Sequence, residues 1–269
     1  MNTQEKNIRL EASNVSLGYK QAPISKHLSV HIPDKSFTVI VGPNGCGKST
    51  LLKGLSRLIT PSEGHVFLDE KPIQHYPSKS VAKILGLLPQ TATAPSGIRV
   101  KELIARGRYP HQTTFRQWSA EDRYAIEEAI KSTHLESIVD QPVNELSGGQ
   151  RQRVWIAMVL AQQTPYLLLD EPTTFLDIAH QLELMDLCYD LYKKQGRTIV
   201  AVLHDINQAC RYADHMIAMK AGKVIQYGAP EKVITEANMK DIFGLDCVII
   251  KDPVSNTPLI IPKDNRKLC

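Results

Sequence analysis

Along the first third of the chain, apolar residues recur in short runs at partly alternating positions. The stretches "IRLEASNVSLGY" (8–19) and "LSVHI" (28–32) predict strands, and "FTVIV" (37–41) is a short β-rich run ending at a glycine. "HVFLD" (65–69), just after the turn-like "TPSEG", predicts one more. Immediately after "FTVIVG" the period changes. "KSTLLKGLSRLI" (48–59) places Leu51, Leu52, Leu55, Leu58 and Ile59 on one helical face.

The section from about 91 to 160 has a different pattern. "RVKELIARGRY" has a helical period, and "SAEDRYAIEEAIKS" opens with Ser119 and Asp122 at capping-box spacing. Ile126, Ala129, Ile130 and Thr133 then follow along one side, so a helical insertion is expected between two β-rich regions. Beyond it, "YLLLD" and "TIVAVLHD" have the composition of fully buried strands, with the helical "QLELMDLCYDLYKKQG" between them. That order is a βαβ unit and predicts a parallel sheet. "MIAMKAGKVIQYG" predicts a hairpin, and "FGLDCVIIKDPVSNTPLIIPKD" has room for two short strands but not for a further domain.

Composition narrows this little. The 269 residues are 42% apolar and 22% charged, as in an ordinary globular protein, and a net charge of +4 without a dense basic run gives no indication of nucleic-acid binding. No apolar run approaches the ~18 residues of a membrane span. The polar opening "MNTQEKNIRLEAS" predicts no secretory leader. Five scattered cysteines (46, 188, 210, 247 and 269) without a CxxC fit reduced thiols in a cytoplasmic protein, so any membrane association is expected through a partner.

The chemistry begins at "GPNGCGKST", Gly42 to Thr50. Gly42, Pro43, Asn44, Gly45, Cys46, Gly47, Lys48, Ser49 and Thr50 match a phosphate-binding loop between a strand and a helix. Its glycines let backbone N–H groups wrap phosphates, Lys48 supplies a mobile charge, and the Ser49 hydroxyl can ligate Mg²⁺. Cys46 is expected to be incidental to catalysis but exposed to the ligand, with its thiolate favoured by Lys48 and the helix start. "YLLLDEP" ends a strand in Asp170 and Glu171. Adjacent residues on an extended segment point to opposite sides, so Asp170 can hold the metal through its water shell while Glu171 handles the attacking water. "LSGGQ" (146–150) puts Ser147, Gly148, Gly149 and Gln150 at another helix start. Taken alone it is either a second anion site or a helix end capped by Ser147.

With these motifs on the page, the chain resembles the ATP-binding-cassette ATPase family. The resemblance covers nearly the whole length: the phosphate loop, Gln90 of "LLPQ", "LSGGQ", "LLLDEP", "FLD" ending at Asp177, and His204 of "VLHD", all in the family's order. It implies an α/β phosphate-loop core with an antiparallel β-subdomain and an inserted helical subdomain (about 91–160), the whole of 1–269 forming one cassette. It further implies that ATP and Mg²⁺ are bound, with catalytic roles for Glu171, His204 and Lys48. Tyr19 would stack on adenine, Gln90 would sense Mg²⁺ and the membrane partner, and His204 would contact the γ-phosphate. Ser49, Gln90 and Asp170 would hold the metal. Two copies would face each other head to tail, so that Ser147, Gly148, Gly149, Gln150 and Asp177 serve the other copy's ATP. His180 and His215 have no such support and are read as structural.

Within the family, one cassette without heptads or fused membrane helices favours the motor of an importer over a soluble non-transport cassette. The end of the chain soon after residue 256 implies no appended regulatory domain. "RGRYPHQ", "QWSAEDRYAIEEAI", "GGQRQRVWIAMVLAQ", "EPTTFLDIAHQLELMDL", "VLHDINQACRYADHMIAM" and "KDPVSNTPLIIP" resemble ferric-siderophore importer ATPases, with haem and cobalamin importers as the alternatives. Two permease subunits and, indirectly, a siderophore-binding protein are the implied partners, on the cytoplasmic face of the membrane. The family commonly has Gly where Asn256 stands, and Asn also accepts left-handed backbone.

Overall fold

The structure is a computed structural model that describes residues 8–19, 22–112 and 118–264. Residues 1–7 of the polar opening, Gln117 and Cys269 lie outside the described residues. The chain divides into two compact units, 1–72 with 200–269, and 73–199.

In chain order, the first unit begins with strands β1 (Ile8–Tyr19), β2 (Ala22–Pro33) and β3 (Phe37–Val41). Helix α1 (Lys48–Leu55), β4 (Glu63–Leu68) and the short β5 (Lys71–Pro72) follow. The second unit contains α2 (Ser78–Ala82), β6 (Leu85–Leu88), α3 (Val100–Ala105), α4 (Ala120–Ser132), α5 (Gly148–Ala161), β7 (Tyr166–Asp170) and α6 (Ile178–Gln195). The division falls within β8 (Thr198–Val202). The first unit then resumes with α7 (Ile206–Tyr212), β9 (His215–Lys220), β10 (Lys223–Gly228), α8 (Pro230–Val233), α9 (Glu236–Phe243), β11 (Cys247–Lys251) and β12 (Pro258–Pro262).

In the first unit, β2-β1-β4-β5 form an antiparallel sheet. Its alternation is only partial for a physical reason. Asn14 has φ 50, and the register between Ala12 and Val15 shifts there. One extra residue turns the strand over, so Leu10 and Ala12 point inward before it and Val15 and Leu17 after it. Strands β10, β9, β3 and β8 follow in that spatial order, with β3 parallel to β9 and β9–β10 an antiparallel hairpin turned by Ala221 and Gly222, both at positive φ. The paired strands β11 and β12 are held to α7 through Asn207, whose side chain exchanges hydrogen bonds with the backbone of Ile260. Asn256, in the turn of that pair, has φ 61, the left-handed geometry expected of it.

Helix α1 is shorter than its apolar pattern. Leu51, Leu52 and Leu55 are buried, but the helix stops at Ser56 and Arg57 takes φ 65. Leu58 is 62% exposed, which corrects the expectation that it shares the buried face. Gly54 shows how close α1 comes to β1: a β-carbon there would lie 2.8 Å from a methyl of Leu17.

In the second unit, β8, β7 and β6 are neighbours in that order, and β6 runs parallel to β7. The helices share a separate apolar core built from Val100, Leu103, Ile104, Ala129, Val154 and Ala157, among others. Ser119 caps α4 in the expected box, its hydroxyl accepting from the Asp122 amide at 3.1 Å. Arg108 joins these helices. Its guanidinium meets Asp122 Oδ1 at 2.8 Å and donates to the carbonyl of Ala161, which closes the last turn of α5. This is the mixed α/β fold expected, with an antiparallel sheet and a helical subdomain. Among the described residues no helix is long and apolar enough to cross a membrane.

Candidate functional site

The first unit holds the phosphate loop between β3 and α1. Gly42, Gly45 and Gly47 have φ 155, 74 and 104, and a β-carbon on Gly42 would lie 2.3 Å from the Met219 carbonyl oxygen. Side chains are therefore excluded at Gly42 by space, and at Gly45 and Gly47 by backbone conformation. Lys48 is only 5% exposed and bends back over the loop, its Nζ donating to the carbonyls of Gly42 (2.9 Å) and Pro43 (3.1 Å). A phosphate entering the loop offers this ammonium stronger, charged acceptors than those two carbonyls.

Ser49 and Thr50 lie in the first turn of α1, and Asn44 is in the loop itself. Tyr19 ends β1 with half its surface exposed, and Lys53 of α1 donates to its hydroxyl at 3.3 Å. His204 is exposed just past β8, while the adjacent Asp205 accepts from the Gln208 amide and caps α7. His215 lies elsewhere, stacked on Tyr227 at 5.4 Å.

Cys46 corrects an expectation. It is buried, and burial pushes its thiol pKa up, outweighing the opposing influences of Lys48 and the nearby backbone N–H groups. The helix start and the lysine were expected to favour a thiolate, but loss of hydration wins. Its sulfur side is turned into the protein, and a β-carbon on Gly42 would lie 2.7 Å from that sulfur.

The second unit holds the carboxylates. Asp170 ends β7 and is almost fully buried. Glu171 follows it outside the strand, at φ 53 and 9% exposed. The expectation of strand alternation assumed that both lie on an extended segment; Glu171 instead lies just past the strand, in left-handed backbone. Gln90, past the end of β6, donates from Nε2 to Glu171 Oε2 at 2.7 Å, so two residues 81 positions apart meet. Asp170 is a hard oxygen donor suited to Mg²⁺. Among the described residues no group of three His, Cys, Asp or Glu could hold a metal by itself.

The same unit holds the "LSGGQ" stretch. Ser147 caps α5: its hydroxyl accepts from the Gln150 amide at 3.2 Å, and the Gln150 side chain accepts from the Ser147 amide at 3.0 Å. The Ser147 and Gln150 amides are thus both used in the cap, at a helix start where Ser147 and Gly148 are exposed. β-Carbons on Gly148 and Gly149 would meet nothing closer than 3.7 Å and 3.4 Å. The protein's own packing does not require glycine at either position; a closely approaching ligand would.

Asp177 and His180 line the cleft beside these residues, together with Phe175 and Arg153. Asp177 caps α6, accepting from the His180 amide (2.9 Å), and the His180 ring nitrogen Nδ1 lies 2.8 Å from the same oxygen. The His180 amide first, then its ring, holds the Asp177 carboxyl below the usual range. Reading the sequence missed Phe175 and His180 as residues of this cleft. The available signal was a bulky aromatic inside the polar "PTTFLD" loop.

Comparisons with known proteins show the family of the chain. A family model described as "ABC transporter" matches residues 25–174. The chain is 55% identical over 254 residues to the ferric enterobactin transport ATP-binding protein of Escherichia coli (strain K12), covering 94% of each. It is 46% identical over 255 residues to the iron(3+)-hydroxamate import ATP-binding protein of Bacillus subtilis (strain 168), covering 95% of each. A solved dimeric structure of a bacterial ABC transporter cassette superposes with TM-score 0.74 at 30% identity, over 82% of this chain and 98% of that one. The chain belongs to the ABC transporter family of ATP-binding cassette proteins.

Proposed function

We propose that this protein is the ATP-hydrolysing motor of an importer that carries a ferric siderophore across the cytoplasmic membrane. Two copies would work as a pair on two permease subunits at the cytoplasmic face, with a siderophore-binding protein delivering the cargo. The names of the relatives above support the substrate class, and their different siderophores are the reason no single one is assigned. The segment 91–160 would be the inserted helical subdomain.

In the proposed reaction, the N–H groups from Gly45 to Thr50 wrap the ATP phosphates, and Lys48 exchanges its two loop carbonyls for phosphate oxygens. Pro43, Asn44 and Cys46 contribute backbone to the same loop, and Tyr19 stacks on adenine. Ser49, Asp170 and Gln90 would hold Mg²⁺, which when bound neutralises charge on the β- and γ-phosphates. Water attacks the γ-phosphorus, Glu171 accepts its proton, and the bond to the β-phosphate oxygen breaks to give ADP and inorganic phosphate. His204 contacts the γ-phosphate. Ser147, Gly148, Gly149, Gln150 and Asp177 of the second copy close the site over the nucleotide.

The observation that carries this reading is the buried Glu171 carboxylate, fixed by Gln90 next to the buried Asp170. Purified protein should release phosphate from ATP only with Mg²⁺ present, and Lys48→Ala should lose that activity. Magnesium-independent hydrolysis, or full activity in Lys48→Ala, would contradict the assignment.

A further inference from the structure

At the end of α6, Gly196 takes left-handed backbone at φ 65, and the Arg197 amide returns to the Leu191 carbonyl at 3.2 Å. This turn fixes Arg197 directly before β8. Its side chain lines a cleft of about 260 Å³ bounded by α4, α5 and the end of α6, all within the second unit. Nη1 of the guanidinium is enclosed and has no hydrogen-bond partner among the described residues. Burial alone acts on the charge, pushing the pKa down with no carboxylate to oppose it. Arginine does not lose its proton in a protein, so the charge stays, and so does the cost of enclosing it unpaired. An arginine that only covers apolar surface carries its head out to water. This one keeps part of its head inside.

The rest of the cleft has mixed chemistry. Ala125 and Ala129 of α4, Leu160 of α5 and Leu191 of α6 give it an apolar wall. The Gln163 side chain, also on the cleft, accepts from Arg108 Nη1 at 3.0 Å through its oxygen, which leaves its N–H₂ as a donor. Glu128 of α4 stands at the exposed lip. We infer that this cleft binds a small organic carboxylate: the anionic group pairs with Arg197 and accepts from Gln163, while an apolar body lies along the alanine and leucine wall. A planar carboxylate matches the guanidinium fork and supplies the missing counter-charge. Glu128 repels any anion, so its charge weakens the site and does not hold the ligand.

Benzoate is the probe, added to the full chain as its sodium salt, with benzamide and acetate as controls at matched ionic strength. Titration calorimetry measures binding, and thermal unfolding measures stability. Benzoate should bind and raise the melting temperature. Benzamide lacks the charge and acetate lacks the apolar body, so each should bind at least about tenfold more weakly. Arg197→Met keeps an unbranched stem and should weaken benzoate binding at least about tenfold, while the ligand-free melting temperature stays equal or rises. Glu128→Gln, at an exposed position, should tighten benzoate binding about two- to fivefold. Misfolding cannot produce that gain. Unchanged benzoate binding in Arg197→Met, equal binding of benzamide, or weaker binding in Glu128→Gln would overturn the inference. So would a parent protein that binds no benzoate at millimolar concentration. A lowered ligand-free melting temperature in Arg197→Met would show that the guanidinium is retained for folding, and overturns it as well.

Discussion

The Gln90 side-chain amide donates to Glu171 Oε2 across 2.7 Å, tying the residue that follows β6 to the carboxylate that follows β7. The bond engages Oε2, one of the two carboxylate oxygens. It also places Gln90, proposed as a residue that would hold Mg²⁺, directly on the proposed base. Glu171→Gln should keep ATP binding and lower phosphate release by about 10²–10⁴-fold, because a neutral amide cannot take the proton. Gln90→Ala keeps the carboxylate and should retain more activity than Glu171→Gln. Steady-state phosphate release decides this, and wild-type turnover in Glu171→Gln would remove Glu171 from the chemistry.

A site shared between two copies can be tested by complementation. Ser147→Arg fills the open space beside Gly148 and Gly149 and should inactivate the protein while leaving ATP binding by its own loop intact. Lys48→Ala damages the loop and spares the "LSGGQ" face. A mixed pair then has one doubly damaged site and one intact site, so mixing should restore hydrolysis that neither variant shows alone. Full activity in Ser147→Arg by itself would contradict a shared site.

Cys46 gives a prediction opposite to its motif context. Because burial raises its pKa, maleimide should modify it slowly at neutral pH and faster as the pH rises. Cys188 and Cys210, both pushed up to about 12 by burial, should label only after unfolding. Labelling followed by peptide mass analysis checks the order. Rapid modification of Cys46 at pH 7 in the folded protein would contradict its burial.

The Arg108–Asp122 pair is 4% and 7% exposed. Burial disfavours the Asp122 charge, but hydrogen bonds from Arg108 and Ser119 outweigh it and hold the carboxyl below its usual range. Its contribution to stability is therefore present above the ordinary carboxylate pKa and lost as pH falls below it. Asp122→Asn leaves the guanidinium buried without its counter-charge and should cost about 3–5 kcal/mol in urea unfolding. Replacing both residues with apolar ones should recover most of that loss. A loss below ~1 kcal/mol in the single variant would show that the pair is well solvated.

The strands, the hairpin, the capped α4 and the phosphate loop were legible because each depends on local period or on residues close in sequence. Leu58 was misread because periodicity carries no information about where Arg57 turns left-handed and ends α1. The bulge at Asn14 blurred an alternation that is regular on either side of it. Cys46 was misread because neighbours in sequence favour a thiolate, while its burial comes from the fold around the loop. The Gln90–Glu171 contact spans 81 positions, and the outward Phe175 depends on braces from α5 and α6. No local pattern encodes either.

The central claim is that hydrolysis by this chain drives ferric-siderophore entry. Its direct measurement is uptake of a radioactive-iron siderophore by cells lacking the gene, by the same cells carrying it on a plasmid, and by cells carrying His204→Ala. Uptake should fall on deletion while siderophore binding by its receptor persists. The plasmid should restore uptake, the His204→Ala copy should not, and haem and cobalamin uptake should be unchanged throughout. Normal siderophore uptake in the deletion strain, with a defect in haem or cobalamin entry, would contradict the account.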